Sequence, residues 1–243
     1  MTLFSSIPRE LKEALESRNG EASRRDFLKT SGLIVVSFGV TASDAGRLVL
    51  ATGVDGAQEQ GAGPYPDPDF RQLDSWIVIH RDNTATFYVG KTDCGQGTGT
   101  AFRQMMADEL DIGYDSTSVV MGSTDVTPDQ GGSGGSDAIQ QDGWPMRRVA
   151  AEARRILLAL AAERFGVPVD LLSVNEAVVS MTSDPSRKVT YAELIGGQRF
   201  DVNLRGRTVN ETTGVAKVKP VDALRIVGQS PMRFDIPPKV DGS

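Results

Sequence analysis

From Trp76 to Val89 the sequence WIVIHRDNTATFYV alternates apolar and polar positions on either side of a polar turn at Arg81-Asp82-Asn83. A period of two predicts a β-hairpin with one buried face. The period then changes. In AFRQMMADEL, Phe102, Met105, Met106 and Leu110 recur at helical spacing, which predicts a helix over about Thr100–Leu110. Between hairpin and helix lies GKTDCGQGTGT, Gly90 to Thr100, with four glycines in eleven residues. The same order returns further on, as a strand over Ser118–Asp125, a glycine-rich loop PDQGGSGGSD, and the longest helix. That helix starts near Met146 and is stopped by Gly166 and Pro168. Its apolar face reads Val149, Ala153, Ile156, Leu157 and Leu160, with Arg147, Arg148, Glu152 and Arg155 on the other faces.

LLSVNEAVVSM predicts a second short hairpin, and Tyr191-Ala192-Glu193-Leu194 a short helix capped by Thr190. There is no internal repeat. The class is α+β, with mixed strands and helices and two strand–glycine-loop–helix units. The globular part spans residues 73–204. Residues 51–72, rich in Gly, Pro and Gln, read as a linker. Residues 205–243 turn polar and read as a connector.

Residues 1–50 carry an address. ASRRDFLKTSG places Arg24-Arg25 ahead of Phe27, Leu28 and Lys29, and the apolar run LIVVSFGV follows. That order is the order of a twin-arginine export signal. The apolar run is far shorter than the roughly twenty residues of a spanning helix. The alternative is a basic turn ahead of a buried strand. The expected destination is the periplasm or its membrane surface, reached through the twin-arginine machinery.

Composition narrows the chemistry. A formal net charge of −6 over 243 residues argues against a protein that mainly grips nucleic acid. One Cys and one His exclude a Cys-ligated iron–sulfur cluster, a structural zinc site and an internal disulfide in this chain. A metal is still compatible if a small molecule brings its ligands. Any anion must be held locally, by loops.

The two glycine loops can do that. A strand leading through glycines into a helix points backbone N–H groups at one spot, where an anion binds. Thr98, Thr100, Ser133 and Ser136 add hydroxyl donors. Neither loop is a Walker A or a dinucleotide fingerprint. On the residues alone, a shared anion site and a pair of plain surface turns both stand open. Cys94 reads as a small residue packed beneath the first loop. His80 sits at a strand end with no evident partner, and Asp108 and Glu109 read as the exposed end of a helix.

In order, WIVIHRDNTATFYVGKTDCGQGTGTAFRQMMADELDI, VMGSTDVTPDQGGSGGS, RRVAAEARRILLALAAERFGV and LRIVGQSPMRFDIPPKV resemble the molybdopterin-binding large subunit of the xanthine dehydrogenase / aldehyde oxidase family. The nearest branch is the exported, isoquinoline 1-oxidoreductase-like one. The resemblance implies that Gly95, Gln96 and Gly97, with Gly134, Gly135 and Ser136, bind the molybdopterin cofactor and its molybdenum. Thr100 is a further candidate. The cytosine dinucleotide form is one candidate for the cofactor. The pterin dithiolene supplies sulfur to the metal, so no protein cysteine is needed.

The resemblance further implies oxidative hydroxylation of an aldehyde or an N-heterocycle, with electrons leaving through a separate [2Fe–2S] small subunit and a cytochrome as a candidate acceptor. The family's catalytic glutamate lies in a Gly-x-Gly-Glu motif, and none occurs here. No residue of this chain is therefore nominated as catalytic. The expectation is the N-terminal part of such an enzyme, with its catalytic region missing from this sequence. The rival expectations are a non-catalytic truncated fragment and an exported binding or scaffolding domain without a cofactor.

Overall fold

The computed structural model describes residues 68–242. The twin-arginine segment and positions 51–67 of the linker lie outside the described residues. Strands β1 (Ile77–Ile79) and β2 (Ala85–Val89) form the expected hairpin, and β3 (Thr117–Met121) pairs with β2 in parallel. Parallel neighbours need a crossover. The first glycine loop and helix α1 (Thr98–Leu110) supply it. Helix α2 (Gly143–Phe165) follows the second loop through one π-helical turn, Ala138–Asp142. Strands β4 (Leu172–Asn175), β5 (Val178–Met181) and β6 (Asp184–Thr190) make a separate antiparallel sheet. Helix α3 (Tyr191–Ile195) starts with a capping box between Thr190 and Glu193, and a last short helix, α4, covers Ile236–Asp241. The protein is α+β.

The period-two pattern of β2 is real: Ala85, Phe87 and Val89 are buried, while Thr86 and Tyr88 are not. Phe102, Met106 and Leu110 of α1 and Met146, Val149, Ala153 and Leu157 of α2 belong to the same core cluster. Trp76 is fully buried and its indole N–H donates to the Phe70 carbonyl at 2.8 Å. Burying each large aromatic of this core is worth on the order of 2–3 kcal/mol. Tyr191, also fully buried, donates its hydroxyl to the Leu110 carbonyl at 2.7 Å. That bond ties α3 to the end of α1.

Three expectations fail. Asp108, Glu109 and Glu152 do not face water, being 3%, 1% and 3% exposed. The reason is the segment after Arg205, which lies back across α1 and α2. Asp108 accepts N–H bonds from Arg225, Ile226 and Val227 at 2.7–3.1 Å. Glu109 accepts the Lys219 N–H and the Arg147 guanidinium. Glu152 takes the N–H groups of Val215 and Ala216 together with Arg155. Each buried carboxylate thus has the donors that make its burial tolerable. Cys94 is exposed, not packed beneath its loop. His80 has a partner: its Nε2 lies 2.7 Å from the Thr86 hydroxyl, across the hairpin.

Candidate functional site

Both glycine loops leave the C-terminal end of the parallel pair, one after β2 and one after β3. Their bases are bonded together. The Gly90 N–H donates to Gln130 Oε1 at 2.8 Å, and the Thr92 N–H to Ser133 Oγ at 2.8 Å. The Lys91 ammonium donates to the Gly132 carbonyl at 2.8 Å and pairs with Asp142 at 3.1 Å. A side chain on Gly90 would put its Cβ 1.8 Å from the Pro128 carbonyl oxygen. Glycine is required there because the two loops touch. Gly95, Gln96, Gly97 and Thr100 are thereby carried on one side of the junction, and Gly134, Gly135 and Ser136 on the other.

The first loop is closed in part from within. Asp93 accepts the N–H groups of Gly95, Gly97 and Gly99 at 2.9–3.1 Å. Gly97 is the left-handed N-cap residue of α1 at φ 84°, and the Asp93 carboxylate does the capping. This is why α1 begins at Thr98, two residues before the helical spacing shows. Burial would raise the Asp93 pKa, but the N–H bonds from Gly99, Gly97 and Gly95 and the nearby Arg233 guanidinium outweigh it and hold it below the ordinary 3.8. Gln96 folds its amide inward, Oε1 accepting the Cys94 N–H at 2.6 Å and Nε2 reaching the Thr92 carbonyl at 3.4 Å.

A cover lies over this loop. Arg233 donates to the Gly95 carbonyl at 2.9 Å while forming a two-point ion pair with Asp235. Phe234 lies so close to Gly99 that a Cβ there would sit 3.1 Å from its ring. Segment 225–235 is pinned to α1 by Asp108 and by the Gln104 amide, which donates to the carbonyls of Ile226 and Gln229.

The second loop is open. Gly131 through Ser136 are all exposed, and no atom lies within 4 Å of where a Cβ would stand on Gly131, Gly132, Gly134 or Gly135. Gly131, Gly135 and Ser136 have positive φ, at 74°, 60° and 59°. The Gly131 N–H donates to Asp129. Among the described residues, the next five N–H groups, Gly132 to Ser136, have no acceptor. Consecutive free N–H groups on a turn of this kind form an anion-binding nest.

Burial pushes the Asp142 carboxyl above its ordinary value, and the ion pair with Lys91 opposes that rise only in part. Two buried hydroxyls of the first helical turn, Thr98 and Thr100, have no hydrogen-bond partner, nor does the buried Gln130 Nε2. Buried polar atoms are normally satisfied.

These residues fit a bound molybdopterin unequally. At the second loop, five free N–H groups suit its phosphate. At the first loop Asp93 occupies the N–H groups of Gly95, Gly97 and Gly99, so what remains for a ligand, among the described residues, is the N–H groups of Gln96, Thr98 and Thr100, the Gln96 side chain and the two threonine hydroxyls. Asp93, Lys91, Asp142 and Arg233 were not identified from sequence. Helix-start spacing could have flagged Asp93, which stands ahead of a Gly-rich N-terminus as a capping residue does. Nothing local flags Arg233, which lies 138 positions from Gly95.

The sequence pattern of one family, the molybdopterin cofactor-binding domain, matches residues 13–225. A nicotinate dehydrogenase chain of Pseudomonas putida is 32% identical over 180 residues, covering 74% of this chain and 14% of its own length. The beta chain of isoquinoline 1-oxidoreductase from Brevundimonas diminuta is 26% identical over 274 residues, covering 99% of this chain and 32% of its own length. Among solved structures, quinoline 2-oxidoreductase from Pseudomonas putida 86 superposes with a TM-score of 0.42 at 22% identity, over 49% of this chain and 15% of that one. The chain therefore spans a third or less of the length of these relatives. By a family match over most of its length, and by a relative 32% identical across three quarters of it, the chain belongs to the molybdopterin cofactor-binding domain family.

Proposed function

We propose that the joined glycine loops form one wall of a molybdopterin site, and that the chain is the N-terminal part of a molybdenum hydroxylase large subunit. The observation that carries this is the row of five unpaired N–H groups, Gly132 to Ser136, bonded at its base to the loop of Gly95, Gln96 and Gly97. The second loop, with Gly134, Gly135 and Ser136, takes the phosphate, including the diphosphate of a cytosine dinucleotide form. To meet the pterin edge Gln96 would exchange its inward bonds to Cys94 and Thr92 for bonds to the ligand, and Thr98 and Thr100 give that side their unpaired hydroxyls. The chemistry supplied by the bound cofactor is two-electron oxidation of a C–H carbon, with water as the oxygen source.

An N-heterocycle is the favoured substrate class, because the relatives named above are a nicotinate dehydrogenase and an isoquinoline oxidoreductase; an aldehyde is the second. Electrons leave through a [2Fe–2S] small subunit to a cytochrome. Export belongs to the same proposal. Arg24, Arg25, Phe27 and Leu28 direct the folded, cofactor-loaded protein through the twin-arginine machinery, and Arg24→Lys with Arg25→Lys should retain it in the cytoplasm on cell fractionation. The test of the site is molybdenum per polypeptide, by mass spectrometry of the purified protein. Gly134→Val should lower the metal content severalfold while leaving the circular dichroism spectrum unchanged. Full retention of metal would overturn the assignment.

A further inference from the structure

The second loop rests on a buried ion pair. Lys91 is 4% exposed and Asp142 is 1% exposed. Lys91 stands two residues past the end of β2, and Asp142 ends the π turn ahead of α2, so the pair joins the base of the first loop to the turn that closes the second. An isolated buried pair is at best weakly stabilising, because desolvation of both charges offsets their attraction. Here the compensation is also incomplete: neither Asp142 oxygen makes a well-aligned hydrogen bond, although one lies 3.1 Å from Lys91. Two apolar side chains of similar volume would hold the junction as well. The charge itself needs a reason.

The reason lies in the third group of the cluster. Lys91 donates to the carbonyl of Gly132. That carbonyl and the Ser133 N–H belong to one planar peptide unit. A cation on the oxygen polarises the unit and makes the N–H a stronger donor. Ser133 is also fixed from below, since its hydroxyl oxygen accepts the Thr92 N–H, which leaves the hydroxyl hydrogen to give to a ligand. The cation is thus placed beneath the row of free N–H groups, where it favours negative charge above the loop. Asp142 holds the ammonium in place and, by its own charge, moderates the field.

We propose that Lys91 is a positioning residue for the anion of the second loop, acting through the Gly132–Ser133 peptide, and that Asp142 sets its strength. This rests on the reading of the second loop as the phosphate site. It predicts opposite signs for the two partners of one ion pair. A purely structural pair predicts the same sign for both, because either substitution breaks it.

The probe is inorganic pyrophosphate, titrated by calorimetry at low salt into the full chain purified without cofactor. Lys91→Met should weaken binding about tenfold and Asp142→Asn should tighten it about tenfold, the scale of one unit charge at partly buried range. Lys91→Arg, which keeps the charge and a donor for Gly132, should stay within about threefold of wild type. If Lys91→Met does not fold, Asp142→Asn decides alone. Weaker binding in Asp142→Asn, or binding unchanged in both variants, overturns the proposal. So does absence of pyrophosphate binding to the wild-type chain. Molybdenum content distinguishes the two levels: metal retained by the wild type and lost in Gly134→Val keeps the cofactor reading even where the Lys91 proposal fails.

Discussion

The two glycine loops share one sequence signature and differ in how far their N–H groups are taken, by turns in the first loop and, over five consecutive residues, not at all in the second. In the first, Asp93 takes three N–H groups, Gln96 takes a fourth, and Arg233 and Phe234 lie on top. In the second, five N–H groups in a row are free and four glycines face open space. The contrast shows that glycine content marks where a backbone can bind, while the neighbouring side chains decide whether it is still able to. One carboxylate, placed just ahead of the helix, separates a capped loop from a receptive one.

The largest test is to uncover the first loop. Asp108→Ala would leave the N–H groups of Arg225, Ile226 and Val227 without their acceptor and unpin the segment that carries Arg233. The expected cost is about 3 kcal/mol, read as a lower Tm, with new protease cleavage between Gly228 and Arg233. A Tm within a degree of wild type would show that the cover is held by other contacts.

Next is removal of the internal anion. Asp93→Ala deletes the helix cap and should cost about 1–2 kcal/mol while freeing the N–H groups of Gly95, Gly97 and Gly99. It should also make the first loop resemble the second, with pyrophosphate affinity rising. The same carboxylate predicts a pH effect. Its folded pKa lies below the ordinary 3.8, so its contribution is complete above the unfolded value and is lost as pH falls through the folded one. Asp142 has the opposite sign, being raised by burial. Its ionisation costs stability at neutral pH, and that cost is relieved as pH falls through its folded value. Below pH 4 the hydrogen exchange of Gly97 and Gly99 amides should therefore accelerate in wild type, relative to the same amides in Asp93→Ala.

The fold was legible where one periodicity met one environment. The Ala85–Val89 alternation and the Phe102, Met106 and Leu110 spacing both proved true, since each faces a single core, while Trp76 and Ile77 are both buried and Met105 only half so. β6 was not seen, because Asp184 to Lys188 are exposed and carry no apolar signal. Glu152, Asp108 and Glu109 misled for a related reason: a charged helix face reads as wet unless something covers it, and here the cover comes from residues more than sixty positions away. The glycines of the site were visible in the sequence. Their state was not, since the bonds that close the first loop run from Asp93 locally but from Arg233 at long range.

The smallest effects discriminate between the loops most directly. Gly97 lies at φ 84° with the Arg233 guanidinium 3.1 Å from the place of a Cβ. Gly97→Ala should cost about 1–2 kcal/mol, nearly all from the left-handed backbone, since the arginine end can move aside. Gly134 lies outside the positive-φ region and has nothing within 4 Å. Gly134→Ala should change stability by no more than about 0.5 kcal/mol, in the stabilising direction, because alanine narrows the unfolded ensemble. Parallel urea titrations of the two variants measure that difference. Equal costs would mean that the second loop is also held by contacts of its own, and its free N–H groups would then be no sign of a place kept for a ligand. A cost confined to Gly97 leaves Gly134 as backbone that the fold itself does not need in glycine form, and the reason for glycine there has to lie in what approaches it from outside.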